Sequence, residues 1–85
     1  MRYNIFRKNQ GESRMIVWDV VRIYEDMEPF IKLRAQTDSG VQDFAYYPWR
    51  DIGEISYSIL TKTVIHIEVD IINHTDTILT IDMVV

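Results

Sequence analysis

His66, Glu68 and Asp70 stand two residues apart in TVIHIEVDII, and Asp82 follows in TIDMV. Side chains at that spacing on a strand share one face, so an imidazole and several carboxylates could offer nitrogen and oxygen ligands to a divalent cation. Strand geometry argues against it. Neighbours on one face lie roughly 6.5–7 Å apart, wide for groups that must converge on one ion. The sequence therefore reads as a solvated polar edge with no metal site, and His74 in NHTDT as a turn residue.

Nucleophilic catalysis needs a Ser, Thr or Cys beside an oriented base. Cysteine is absent, and Ser56 and Ser58 flank Tyr57 outside any G-x-S-x-G turn. The TKT at 61–63 lacks the glycines of a phosphate loop, and no G-x-G-x-x-G occurs. Asp51 and Glu54 follow Trp49 on a short corner, where carboxylates cap a turn. The expectation is a non-enzymatic chain with no cofactor and no small-molecule substrate.

The strongest concentration of contact-forming side chains is DFAYYPWRDIGEI, where Phe44, Tyr46, Tyr47, Trp49 and Arg50 fall within residues 44–51. What they can do depends on the elements that hold them. The clearest is at the end of the sequence. Ile65, Ile67, Val69 and Ile71 alternate with His66, Glu68 and Asp70, and after NHTDT the pattern resumes with Leu79, Ile81 and Met83 against Thr80 and Asp82. Period-two alternation on both sides of a polar cluster predicts a hairpin. Two registers keep the apolar rows together. Val69 opposite Ile81 sets Glu68 against Asp82; Val69 opposite Leu79 sets His66 against Asp82. Cross-strand electrostatics favours the second and turn chemistry the first.

The segment MIVWDVVRIY (15–24) is rich in β-branched residues and reads as a strand. A helix over 15–28 is the alternative, because Asp19, Arg22, Glu25 and Asp26 then share a side; it would leave Trp18 among those charges. In the strand reading EDMEP turns the chain, FIKLRAQ returns, and a three-residue loop Asp38-Ser39-Gly40 sets Arg34 opposite Phe44 and Lys32 opposite Tyr46. One face then carries Val17, Val21, Ile23, Ile31, Leu33 and Ala35. The other carries Trp18, Tyr24, Phe30, Phe44 and Tyr46 interleaved with Arg22, Lys32 and Arg34, with Trp49 and Arg50 beside it. A long strand, an acidic loop, two hairpin strands, a PWRDI corner and the strand EISYSIL resemble the layout of SH3-like small barrels over residues 14–60. The expected fold is thus all-β, a small antiparallel barrel or sandwich of six to seven strands with an added C-terminal hairpin; α+β with a helix at 15–28 is the alternative.

The 85 residues suggest a single domain, 1–85, at 47% hydrophobic and 26% charged. Corners are expected at Gly11, Gly40, Gly53, Pro29 and Pro48. The absence of cysteine suits a reducing cytoplasm, and neither a signal peptide nor a membrane span is expected. The net charge of −4 is uneven: residues 1–50 carry eight basic against seven acidic side chains, and residues 51–85 one against six.

An aromatic and basic sheet face has two readings. It can be a second packing layer, covered by the hairpin or by the YNIF strand near residue 3. It can instead stay near solvent, because unpaired buried cations cost several kcal/mol, about 3–5 where a partner is missing. Exposed, it has the composition of a protein-binding hot spot. The expected function is a protein–protein interaction module, a regulatory or inhibitory accessory protein of phage or mobile-element type. Its binding residues would be Trp18, Arg22, Tyr24, Phe30, Lys32, Arg34, Phe44, Tyr46, Trp49 and Arg50. The partner would be another protein or a second copy in a homo-oligomer. Single-stranded nucleic acid stacking on the same rings is the alternative, disfavoured by the net charge. A proline-rich peptide carrying a basic residue, held by Glu25, Asp26, Glu28 and the Tyr46–Trp49 aromatics, ranks below both.

Overall fold

The computed structural model describes residues 2–4 and 15–85 and shows a predominantly β protein built on one mixed sheet. Its strands are β1 (Arg2–Asn4), β2 (Phe30–Thr37), β3 (Gly40–Tyr47), β4 (Val64–Ile71) and β5 (Thr77–Val84), in the order β1-β4-β5-β2-β3. Neighbours are antiparallel except β2 and β5, which run parallel. Among the described residues no pairing of β1 with β3 closes the sheet into a barrel.

The segment expected to be the first long strand is helical instead: α1 spans Val17–Ile23, and a 3₁₀ turn follows over Glu25–Met27. The spacing Val17, Val20, Val21 explains it. Those three side chains, at i, i+3 and i+4, are fully buried, and tertiary burial outweighs the modest helix penalty of valine. Asp19 Oδ2 accepts the Ile16 N–H at 3.1 Å, and the Val17 N–H donates to the Lys62 carbonyl at 3.0 Å, so the helix start is hung from the chain entering β4. Trp18 and Ile23, 42% and 60% exposed, stay outside; Ile23 is not in the core layer.

A second correction concerns EISYSIL. Residues Trp49–Glu54 form a 3₁₀ segment, and α2 spans Tyr57–Leu60; Ile55 is buried between them. With neither flanking strand present, the SH3-like layout does not hold, and the described residues contain five strands rather than six to seven. Of the YNIF strand, Tyr3 and Asn4 lie in β1 on the β4 edge; Ile5, Phe6 and the corner at Gly11 lie outside the described residues.

The C-terminal hairpin has the Val69–Leu79 register, with His66 opposite Asp82. A bulge at Ile65 lets Val64 take the core position opposite Met83. Its loop is tied by Asn73, whose Oδ1 accepts the N–H groups of Thr75 (2.8 Å) and Asp76 (3.0 Å). In the β2–β3 hairpin Gly40 pairs with Thr37, leaving a two-residue Asp38-Ser39 loop, and Gly40 adopts φ +110°. Lys32 faces Tyr46 as expected. Arg34 faces Asp43 rather than Phe44, because a bulge leaves Phe44 without a partner on β2.

The core lies on one side of the sheet. Ile31 and Leu33 of β2, Ile67 and Val69 of β4, and Leu79, Ile81 and Met83 of β5 pack with the three valines of α1 and with Ile55. Strand β5 is the middle of the sheet, and its Thr80 and Asp82 on the other side are buried as well.

Candidate functional site

The side of the sheet away from α1 is built in rows set by the strand register. One row runs His66, Asp82, Arg34, Asp43 across β4, β5, β2 and β3. The next runs Glu68, Thr80, Lys32, Tyr46, and the third Asp70, Ile78, Phe30. Alternation along each strand forces this arrangement once Ile31, Leu33, Leu79 and Ile81 face the core.

Asp82 anchors the first row. Its side chain is 6% exposed, and Arg34 grips it in a fork, Nε to Oδ1 at 2.6 Å and Nη2 to Oδ2 at 2.9 Å. His66 Nδ1 stands 3.4 Å from Oδ2. A two-point guanidinium–carboxylate contact is short and charge-assisted, and it satisfies a carboxylate that water cannot reach. The hydrogen bonds to Asp82 raise the Arg34 pKa; burial opposes that, and the charges of Asp82, Glu68 and Asp43 add to it. No buried side-chain polar atom among the described residues lacks a partner.

Beside this anchor lies an aromatic corner. Phe30 and Tyr46 stack with centroids 5.6 Å apart and planes 11° apart. Such a pair contributes about 0.5–1.5 kcal/mol beyond its burial. Lys32 Nζ reaches over β3 to Asp43 Oδ1 at 3.8 Å, an exposed contact worth little. Strand β3 is an end strand of the sheet, and Val41, Phe44 and Tyr46 along it are 42%, 49% and 52% exposed.

The ten residues expected to form one binding face divide between two sides. Phe30, Lys32, Arg34 and Tyr46 come together on the sheet side just described, and Phe44 lies on the adjoining edge at the bulge. Trp18 and Arg22 are exposed on α1, which packs on the opposite side of the sheet, so they cannot join that face. Tyr24, at the end of α1, and Trp49 are partly buried against the core. Arg50 is exposed in the 3₁₀ segment after β3. The acidic turn Glu25–Met27 borders a shallow concavity lined by Asp26, Met27, Ile71 and the 73–77 loop, not the Tyr46–Trp49 aromatics.

The Arg34–Asp82 pair was not anticipated. Its signal lies in ILTIDMVV, where apolar residues surround Asp82 so densely that the strand must be central and its carboxylate must meet a cation. Among the described residues no group of three or more His, Asp or Glu is gathered to hold a metal ion. No helix there is long and apolar enough to cross a membrane. Compared with known proteins, the chain matches no family model, no curated protein and no solved structure.

Proposed function

We propose that this chain is a non-catalytic protein-binding domain that docks through the β2–β3 corner and acts on its partner as a cytoplasmic accessory or regulatory protein. The observation that carries the reading is the exposed apolar edge: Val41, Phe44 and Tyr46 line an end strand whose outer side pairs with no described strand. An edge of this kind is a ready template for another chain, and proteins that leave one exposed commonly use it. The Phe30–Tyr46 stack supplies rigid contact area beside it, and Lys32 an orienting charge. The single-stranded nucleic acid reading has less support, because the polar rows set Lys32 and Arg34 against the four carboxylates of Asp43, Glu68, Asp70 and Asp82.

A photo-crosslinking residue placed at Phe44, and separately at Tyr57, tests this in cells that express the protein. Tyr57 is 81% exposed in α2, away from β3, and serves as the control. Specific adducts from position 44 and none from 57 are expected. Equal labelling, or none at 44, removes the reading.

A further inference from the structure

We infer that the β3 edge pairs with the β3 edge of a second copy of this chain, antiparallel and about a two-fold axis near Phe44. The inference rests on the edge-docking reading above and names its partner.

Three features fit a second copy. The first is the bulge. It interrupts β3 at Phe44 and leaves two short regular stretches, Gly40–Asp43 and Ala45–Tyr47. With the axis between Asp43 and Phe44, each copy's first stretch meets the other's second, Val41 opposite Tyr46 on the side away from the core and Gln42 opposite Ala45 on the core side. An irregularity that would spoil a continuous added strand then sits where the two ladders part.

The second is charge. Any antiparallel self-pairing centred on β3 brings the Asp38-Ser39 turn of one copy beside the Pro48–Arg50 corner of the other. Asp38 and Arg50 are both exposed and of opposite sign, and the symmetry makes the contact twice. Of the thirteen acidic residues only Asp38 and Asp43 fall within residues 38–50, so the repulsion between two copies of net charge −4 is centred away from this edge.

The third is the core. It runs out to this edge without being closed there: Ala45, Tyr47, Trp49 and Ile52 pack against it yet remain only partly buried. A two-fold axis perpendicular to the sheet keeps the core sides of both copies on the same side, so the apolar layer of one sheet continues into the next across the joined edge.

The test is sedimentation or light scattering of the purified chain over a concentration series, with the variants Arg50→Glu, Asp38→Arg and the Asp38→Arg/Arg50→Glu double. Both positions are exposed, and circular dichroism confirms that each variant folds. The wild type is expected to pass from monomer to dimer. Each single variant is expected to weaken dimerisation roughly tenfold, and the double to restore it. A wild type that stays monomeric at its highest soluble concentration overturns the inference, as does a dimer indifferent to the charge swap. If the chain is monomeric while position 44 still crosslinks a different protein, self-pairing fails and the protein-binding reading stands; if neither is seen, both fail.

Discussion

Replacing Arg34 by Met strands the Asp82 carboxylate. That side chain is 6% exposed, and the two Arg34 contacts at 2.6 and 2.9 Å are its closest. His66 is farther, at 3.4 Å, and carries charge only when protonated. Removing one member of a buried pair costs about 3–5 kcal/mol. Arg34 keeps 30% of its side chain exposed, so water follows the vacated volume and the lower end, about 3 kcal/mol, is expected. A chain of this length has roughly 4–13 kcal/mol in total, so the loss is large, a fall in Tm of about 12–24 °C. Asp82→Asn has a different consequence. The partly exposed guanidinium turns to solvent, and the cost is about 1–2 kcal/mol. The double Arg34→Met/Asp82→Leu removes both charges and should lie within about 1 kcal/mol of wild type. Urea denaturation followed by tryptophan fluorescence measures all three. Because the folded Arg34 pKa is raised, the pair's contribution is complete below the guanidinium's ordinary value and is lost only as pH rises through the higher folded one. Arg34 therefore brings no alkaline transition near neutrality. Arg34→Met no worse than Asp82→Asn, or a double variant no more stable than Arg34→Met alone, would refute the buried-anchor reasoning.

Two further outcomes follow from the backbone and the core. Gly40→Ala, at φ +110° with open space around it, should lower stability by about 1–2 kcal/mol through backbone strain alone, whereas Glu28→Gly, at φ 44° before Pro29, should raise Tm; thermal melts of both check the sign. Val20→Ala should cost about 2 kcal/mol and Trp18→Ala under about 1, since one side chain is fully buried and the other 42% exposed; the reverse order in denaturant melts would show that α1 presents its other face.

The sequence made some of these elements legible and hid others for identifiable reasons. The C-terminal hairpin could be read from strict alternation, but its register could not: cross-strand charge favoured the observed pairing of His66 with Asp82 while turn chemistry favoured the other. Half of the β2–β3 register was readable, up to Lys32 opposite Tyr46; the bulge at Phe44 leaves no trace in local composition. Helix α1 was obscured because Val17, Val20 and Val21 satisfy both a buried helix face and a β-branched strand, and the choice between them is made by contacts with distant residues such as Ile31 and Leu79. Trp18 pointed the wrong way: a large ring among charges looked implausible, yet it lies half-exposed beside Asp19 and Arg22. The Arg34–Asp82 anchor depends on the parallel pairing of β2 with β5, which no alternation pattern specifies.

That parallel pairing also bears on how the protein folds. Strand β5 is the last strand in chain order yet occupies the middle of the sheet, and Arg34 is separated from Asp82 by 48 positions. The two hairpins can form locally, but neither buries its inner edge until the other arrives. Closing so large a loop before any of those contacts can repay its entropy should place the barrier at hairpin docking, with microsecond hairpin formation preceding a much slower cooperative step. Until then the exposed inner edges of β2 and β5 are the surfaces most open to intermolecular mispairing, so refolding yield should fall as protein concentration rises.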